Sequence, residues 1–486
     1  MSPPALPRWA RAADFLSFLL VVIALTVSAS GGFRIRIGAL RLALTSPLRL
    51  LIWAIVIGVA RHFAAPQQPV YRDLPRRIAR WARSVEVRTA AAVVVGTRPA
   101  VLFVGYLAIM LFGYVDGSPA HKMPLHDYDS EVFNLQLRWD TGWYHGIAMN
   151  GYSYDPQTGP SGQQDPVFFP AYPLIMRVAG LLFGNRELSY ILGGTVVSLL
   201  SFLLALTYLY RLARELLDDD QSVTALWLLA AYPFAIFYSA IYTESLYLLG
   251  AVGAFYHFRR RELAQAGAWG LLVGLTRPNG FALSLPLALL AIEPWLPPYL
   301  VGGAAAKAGA VKPARTERLT MFAPVLAAAA MPVVGMLLYS AFVWWLTGHP
   351  FTWAAGHAAW GRHYQGLSRV VMDRYYFIWS AGFSGYVAQL PVDLLNGLGA
   401  LFALVTAWPI ARRLGLAYAV FVLVNILPQL AAGGLMSVGR FSSVLFPVFI
   451  WLAAAIPPRH RMGWVVTFAA IQALNAAMFY TWRPLY

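Results

Sequence analysis

An all-α, polytopic membrane protein is the fold class this 486-residue sequence predicts, and three observations carry it. Hydrophobic residues make up 59% of the chain and charged residues only 12%, whereas soluble domains carry roughly a quarter charged. Apolar runs of roughly 17–25 residues, long enough to span a hydrocarbon core as helices, recur from end to end. They are continuous and not alternating, which disfavours a transmembrane barrel. The formal charge of +16 gathers in short basic loops between those runs. Cytoplasmic membrane flanks have that pattern, so the charge calls for membrane lipids and for no nucleic acid. The chain has no cysteine, which excludes disulfides and thiolate metal sites.

Taken in order, Arg8 and Arg11 precede a first helix at about 13–31, which sets the N-terminus on the cytoplasmic side. This stretch has the outline of a signal peptide, but no small-residue cleavage site leads into a soluble domain, and a retained helix is expected. FRIRI (33–37) and LRLAL (40–44), joined by Gly38-Ala39, alternate with period two. They predict either a small outer β-hairpin with Arg34, Arg36 and Arg41 on one face, or a frayed start to a second helix at about 47–62. Residues 61–98 carry Arg61, Arg72, Arg76, Arg77, Arg80, Arg83, Arg88 and Arg98 against Asp73 and Glu86, the strongest inside signal in the chain. Within them LPRRIARWARSVEV reads as a basic interfacial helix with Ile78, Trp81 and Val85 toward lipid, or as a solvated charge run.

A third helix at about 98–115 leads into residues 116–167, where the charge turns acidic and an outer loop is expected. Helices follow at about 187–210, 222–240 and 244–258, then two short ones at 264–276 and 279–293, broken at Arg277-Pro278-Asn279-Gly280. A break of that kind must be buried or line a cavity. The basic loop 307–318, with Lys307, Lys312, Arg315 and Arg318, belongs inside, and a helix at 320–346 leads to a second outer segment, 347–390. Helices at 392–410, 415–433, 441–456 and 463–480 complete about 13 spans.

The two long segments fall on the same side and hold six of the nine histidines: His121, His126, His145, His349, His357 and His363. In residues 138–173, Asp140 lies between Trp139 and Trp143, with His145 further along. Asp140 either caps a helix beginning near Thr141 or acts as a base. Asp127, Asp129 and Glu131 have the spacing of cation ligands, but HDYDSEVF lacks the glycine and the distal glutamate of a calcium loop. No metal and no other cofactor is expected. Arg277, at the helix break, offers a bidentate fork for a phosphate. Arg440 in SVGRF and Arg362, beside Trp360 and His363, are further phosphate candidates. His145 or His363 would share acid–base work, since imidazole titrates near neutrality. Glu244 in YSAIYTES is an ionisable group at a helix end, with either a function or only a place beside a cap at Thr243. A base, several cations and rings such as Trp139, Trp143, Tyr172 and Trp360 are what glycosyl transfer from a lipid phosphate would require.

RWDTGWYHGIAMNGY followed by FFPAYPL is similar to the first-loop signature of the PIG-V type GPI mannosyltransferases and their bacterial relatives. YSAIYTESLY, LTRPNG, GHPFTWAAGHAAWGR and VGRFSSVLFP then recur in that family's order, over about 96–486. The resemblance implies a GT-C glycosyltransferase fold with an extracytoplasmic active site in the cell (plasma) membrane. It implies a polyprenyl-phosphate mannose donor, a glycolipid or glycan acceptor, and a metal-independent, inverting transfer with Asp140 as the base. Trp139, Trp143, His145, Tyr172, Glu244, Trp360 and His363 are then candidates for holding sugar or acceptor. Residues 1–95 fall outside the pattern as a two-helix extension with a basic cytoplasmic loop, ahead of a core at 96–486. Alternatives are a transferase for polyprenyl-phosphate arabinose, galactose or glucose, a lipid or polysaccharide transporter, and a non-catalytic assembly subunit. A transporter would place polar residues at mid-depth along several helices.

Overall fold

The computed structural model describes residues 7–30, 33–37, 40–44, 46–65, 78–118, 130–158, 162–293 and 315–485. They form two compact units, one drawn from 1–88 and 177–193, the other from 89–176 and 194–486.

In the first unit, α1 (Arg8–Ser30) and α2 (Pro47–Ala64) flank β1 (Phe33–Ile37) and β2 (Leu40–Leu44). The period-two pattern is realised as an antiparallel hairpin in which Arg36 stands opposite Arg41. The Ser46 side chain accepts the Arg49 N–H, and Pro47 opens the helix, a favourable start because that position has no partner for an N–H. The Ser17 hydroxyl donates to the Ala54 carbonyl at 2.8 Å. Arg61, read as the first of the inner basic run, is instead buried against Asp14, with Nε 2.7 Å from Oδ1.

Among its described residues the second unit has helices and no strand. Its helices are α3 (Val85–Phe112), α4 (Thr141–Asn150), α5 (Ala171–Leu182), α6 (Glu187–Arg214), α7 (Asp219–Ala231), α8 (Glu244–Arg259) and α9 (Leu263–Gly274). After the 3-10 turn Pro278–Leu283 come α10 (Ser284–Ile292), α11 (Arg315–Thr347), α12 (Leu367–Gln389), α13 (Pro391–Arg413), α14 (Leu416–Gly433), α15 (Val438–Ser443), α16 (Phe446–Ala455) and α17 (Pro458–Tyr480). The first residues of α3 and parts of α5 and α6 belong to the first unit. Among the described residues, 7 helices are long and apolar enough to cross a membrane. They include α2, α3, α6, α13, α14 and α17, with α11 contributing residues 323–347. Shorter apolar helices among the described residues include Ala171–Leu182, Leu263–Gly274 and Phe446–Ala455.

Several boundaries differ from expectation. The third helix begins at Val85 and not near 98, so Arg98 is a buried mid-helix residue and not part of an inner loop. Of the expected interfacial helix, residues 78–82 are helical and 74–77 lie outside the described residues, as does most of the loop 307–318. The helix expected at 222–240 stops at Ala231, because Pro233 has no N–H to continue it. The carbonyls freed there are taken up from elsewhere. Arg98 donates to Ala235 O at 2.6 Å and to Ala230 O, Gln472 to Ala230 O and Tyr232 O, and Asn475 to Pro233 O. The broken chain then makes a 3-10 turn, Ala235–Ser239, before α8 starts at Glu244.

The break at 277–280 is observed as expected. Pro278 disfavours helix at the residue before it, and Arg277 is fully extended (φ −161°, ψ 159°) between α9 and the 3-10 turn. Gly280 closes this turn against α9, where a Cβ would lie 2.1 Å from the Val273 carbonyl oxygen. Gly280→Ala should therefore lower stability by about 1–3 kcal/mol through overpacking. Thermal unfolding of the detergent-solubilised variant checks it; an unchanged midpoint would mean that the turn tolerates a side chain.

Candidate active site

Asp140 is placed by the residues around it. Trp139 has a left-handed backbone (φ 53°), a conformation that costs a bulky residue energy and persists only where the surroundings enforce it. Arg138 Nε donates to Tyr480 O at 2.7 Å, and its Nη1 to Asn134 O at 2.7 Å. Trp139 Nε1 donates to Phe479 O at 3.2 Å, and its ring packs 4.9 Å from Trp482. The turn is thus fastened to the end of α17. The Asp140 N–H donates to the Tyr242 hydroxyl at 3.1 Å, and α4 begins at the next residue.

Asp140 is at the N-cap position, but its side chain makes no capping hydrogen bond. The carboxylate is 29% exposed and reaches Arg440, whose Nη1 donates to Oδ2 at 2.9 Å. Arg440 Nε donates in turn to Glu244 Oε1, and Arg277 Nη2 donates to that same oxygen. Glu244 lies in the first turn of α8, where the helix dipole favours a carboxylate. Thr243 makes no side-chain cap there. Arg440 sits on α15, which starts after Ser437, a second non-glycine residue with positive φ (59°).

Aromatic rings hold the guanidinium groups. Arg440 stacks 4.4 Å above Tyr242 and 5.2 Å from Phe237, while Arg277 lies 5.0 Å from Tyr247 and 5.2 Å from Phe441. Arg362 is 5.4 Å from the same Phe441 ring, and its Nη1 donates to Gln429 Oε1 at 3.0 Å. Burial, and then the charge of Arg440, lowers the Arg362 guanidinium to about 10, still cationic near neutrality. Behind Arg277, Asn279 Nδ2 and the Tyr247 hydroxyl both donate to Asn425 Oδ1 at 2.8 Å. Three guanidinium groups thus face two carboxylates, one positive charge in excess.

Beside this cluster Trp143, Phe168 and Trp360 form an aromatic group: Trp143 stacks on Phe168 at 5.6 Å and meets Trp360 edge-on at 5.7 Å. Tyr339 donates to Pro166 O and Tyr152 to Phe168 O, which fixes the loop that carries Phe168. Trp143 lies on α4 one turn from Asp140.

Asp140, Glu244, Arg277, Arg362 and Arg440 are therefore brought together, and Trp143 and Trp360 meet as a pair. Other candidates are placed differently. Trp139 is committed to Trp482 and Phe479. Tyr172 is fully buried, its hydroxyl bonded to Gly194 O and Ser198 Oγ, so it presents nothing to a sugar. Glu244 is also fully buried and binds arginines, which removes it from sugar contact. His145 is buried on α4 and His363 is exposed. Burial, then Arg362, pushes His357 down to about 4, leaving it neutral over the working range. His121, His126, Asp127 and Asp129 lie outside the described residues. Tyr242 and Phe441 carry the arginine stacking unforeseen, although they lie within YSAIYTES and SVGRF.

Comparison with known proteins adds a family to this geometry. The family described as Mannosyltransferase (PIG-V) matches residues 117–286, the part of the chain that holds Asp140, Glu244 and Arg277. GPI mannosyltransferase 2 from Cryptococcus neoformans var. neoformans serotype D is 30% identical over 166 residues. Over residues 117–286 the chain is similar to the PIG-V mannosyltransferases. The alignment with GPI mannosyltransferase 2 takes in 32% of this chain and 37% of the relative, so it spans less than half of either. The same protein from a second strain of that organism aligns equally. Arg362 and Arg440 lie beyond the segment matched to the PIG-V family, so that segment holds only part of the charge cluster. Among solved structures, the Archaeoglobus fulgidus oligosaccharyltransferase in complex with Zn and sulfate aligns with a TM-score of 0.38 and 13% identity, over 80% of this chain and 53% of that one. Its complex with an inhibitory peptide and a dolichol-phosphate aligns with the same score over 56% of its length.

Proposed function

We propose that this chain is an integral membrane mannosyltransferase of the GT-C type. It transfers mannose from a polyprenyl-phosphate donor to a glycolipid or glycan hydroxyl on the extracytoplasmic side of the plasma membrane. In this reading the N-terminus is cytoplasmic, and residues 1–95 are an extension to the catalytic core at 96–486. The observation that carries the proposal is Arg440 bound at once to Asp140 and Glu244, within a cluster that keeps one positive charge in excess.

A lipid-phosphate sugar is a phosphodiester with one negative charge, and the excess charge balances it. The acceptor oxygen attacks the anomeric carbon while the bond from that carbon to the phosphate oxygen breaks, and the phosphate keeps the electron pair. The acceptor proton passes to Asp140. The leaving phosphate thereby gains one negative charge as the cluster gains one positive charge, so the pair stays balanced through the step. Preorganised cations placed where charge develops are the largest contribution in many such sites. Attack opposite the leaving phosphate inverts the anomeric centre. Trp143 and Trp360 supply ring faces for the sugar.

Purified protein given radiolabelled polyprenyl-phosphate mannose and a panel of glycolipid and glycan acceptors tests the reading. Label in one acceptor, with loss from the lipid, is expected. Donor binding without transfer to any acceptor would refute an enzymatic role, and transfer only from the arabinose, galactose or glucose donors would refute the assignment of the sugar.

A further inference from the structure

Glu244 is fully buried, and one of its oxygens, Oε1, takes hydrogen bonds from both Arg277 and Arg440. Among the described residues its other oxygen, Oε2, has no hydrogen-bond partner, and neither does Nη1 of Arg277, a side chain only 4% exposed. Buried polar atoms are nearly always paired, and each exception calls for a reason. A carboxylate in a protein interior is retained only where partners compensate its lost hydration. Here two guanidinium groups do so from elements far apart in sequence, the break after α9 and the short helix α15. Arg277 and Arg440 thereby share one anchor, and Arg440 places a second nitrogen, Nη1, on Asp140.

We infer that Glu244 is a positioning residue for the proposed transfer. Its Oε1 fixes Arg277 and Arg440 relative to Asp140, and its charge sets the cluster to accept a singly charged phosphodiester in preference to the doubly charged product. The inference rests on the proposed function above. The site contains three arginines, and without the Glu244 charge they would hold a lipid phosphomonoester more tightly than the donor and retard its release. A carboxylate behind the arginines keeps them aimed and lowers their net charge by one at every stage of the step. Asp140 cannot do this, because in the proposed step it becomes neutral as the product forms.

Glu244→Gln keeps the shape and an acceptor oxygen but removes the charge. The expected result is a kcat about tenfold lower with a donor KM that does not rise. Inhibition by added polyprenyl phosphate should become about tenfold stronger, the size of one extra charge at partly screened range. Glu244→Asp, which keeps the charge on a shorter stem, is expected to lose kcat while keeping wild-type product inhibition. Unchanged kinetics in Glu244→Gln would overturn the inference, as would a raised donor KM at constant kcat. If Glu244→Gln does not fold, product inhibition in Glu244→Asp decides, and a tenfold change there overturns the inference. Asp140→Asn run alongside separates the two claims: activity in that variant defeats the proposed function, whereas its inactivity beside an unaffected Glu244→Gln defeats only the role of Glu244.

Discussion

Asp140→Asn is expected to slow sugar transfer by a factor of about 10²–10⁴, the usual contribution of a positioned general base. The substitution is isosteric and leaves the backbone N–H of residue 140 on the Tyr242 hydroxyl. The amide oxygen can still accept from Arg440, so the cluster keeps its shape. One negative charge is lost, so binding of a lipid phosphate should be retained or tightened while turnover collapses. Transfer of labelled mannose and binding of polyprenyl phosphate, measured on the same preparation, give the two halves of this result. Wild-type transfer in the variant would remove Asp140 from the chemistry.

Arg440→Gln is expected to damage both the site and its stability. Arg440 is the link between a part-exposed and a fully buried carboxylate, stacked on Tyr242 at 4.4 Å. Removing one partner of a buried ion pair costs about 3–5 kcal/mol because the remaining charge stays desolvated. Glu244 would keep only Arg277, and Asp140 would lose its ion-pair partner. Arg440→Lys should rescue little, since a single ammonium cannot bond two carboxylates along one plane while lying flat on a ring. The measurements are thermal unfolding in detergent and donor KM; a normal midpoint with normal KM would show that Arg440 is dispensable.

Much of the fold was legible because it depends on local chemistry. Alternation in FRIRI and LRLAL gave a hairpin with the expected strand limits. Arg277-Pro278-Asn279-Gly280 marked a helix break because proline restricts the residue before it and glycine permits close approach. Pro233 carried the same information, but the apolar run around it masked the break between α7 and the 3-10 turn. Hydropathy also hid α12, a helix rich in Tyr, Ser and Arg that was read as an outer segment and is kinked at Gly382.

The site was legible residue by residue but not as pairs. Asp140, Glu244, Arg277, Arg362 and Arg440 each stood out as a charge in apolar or aromatic surroundings. That Arg440 would join Asp140, 300 residues away, and Glu244, 196 residues away, is a property of tertiary packing. Trp139 and Tyr172 misled for the related reason that an aromatic residue beside a charged motif serves equally well to hold the backbone in place. The tie from Arg138 and Trp139 to α17 accounts for the left-handed backbone at Trp139.

Arg277, Arg362 and Arg440 are proposed to hold the phosphate of a lipid-linked sugar beside Asp140. A structure of the protein with a non-transferable polyprenyl-phosphate sugar analogue tests it most directly. The claim predicts phosphate density within hydrogen-bond reach of at least two of Arg277, Arg362 and Arg440, with the anomeric carbon on the Asp140 side. Phosphate density elsewhere, with Arg440 still closed on both carboxylates, would contradict it.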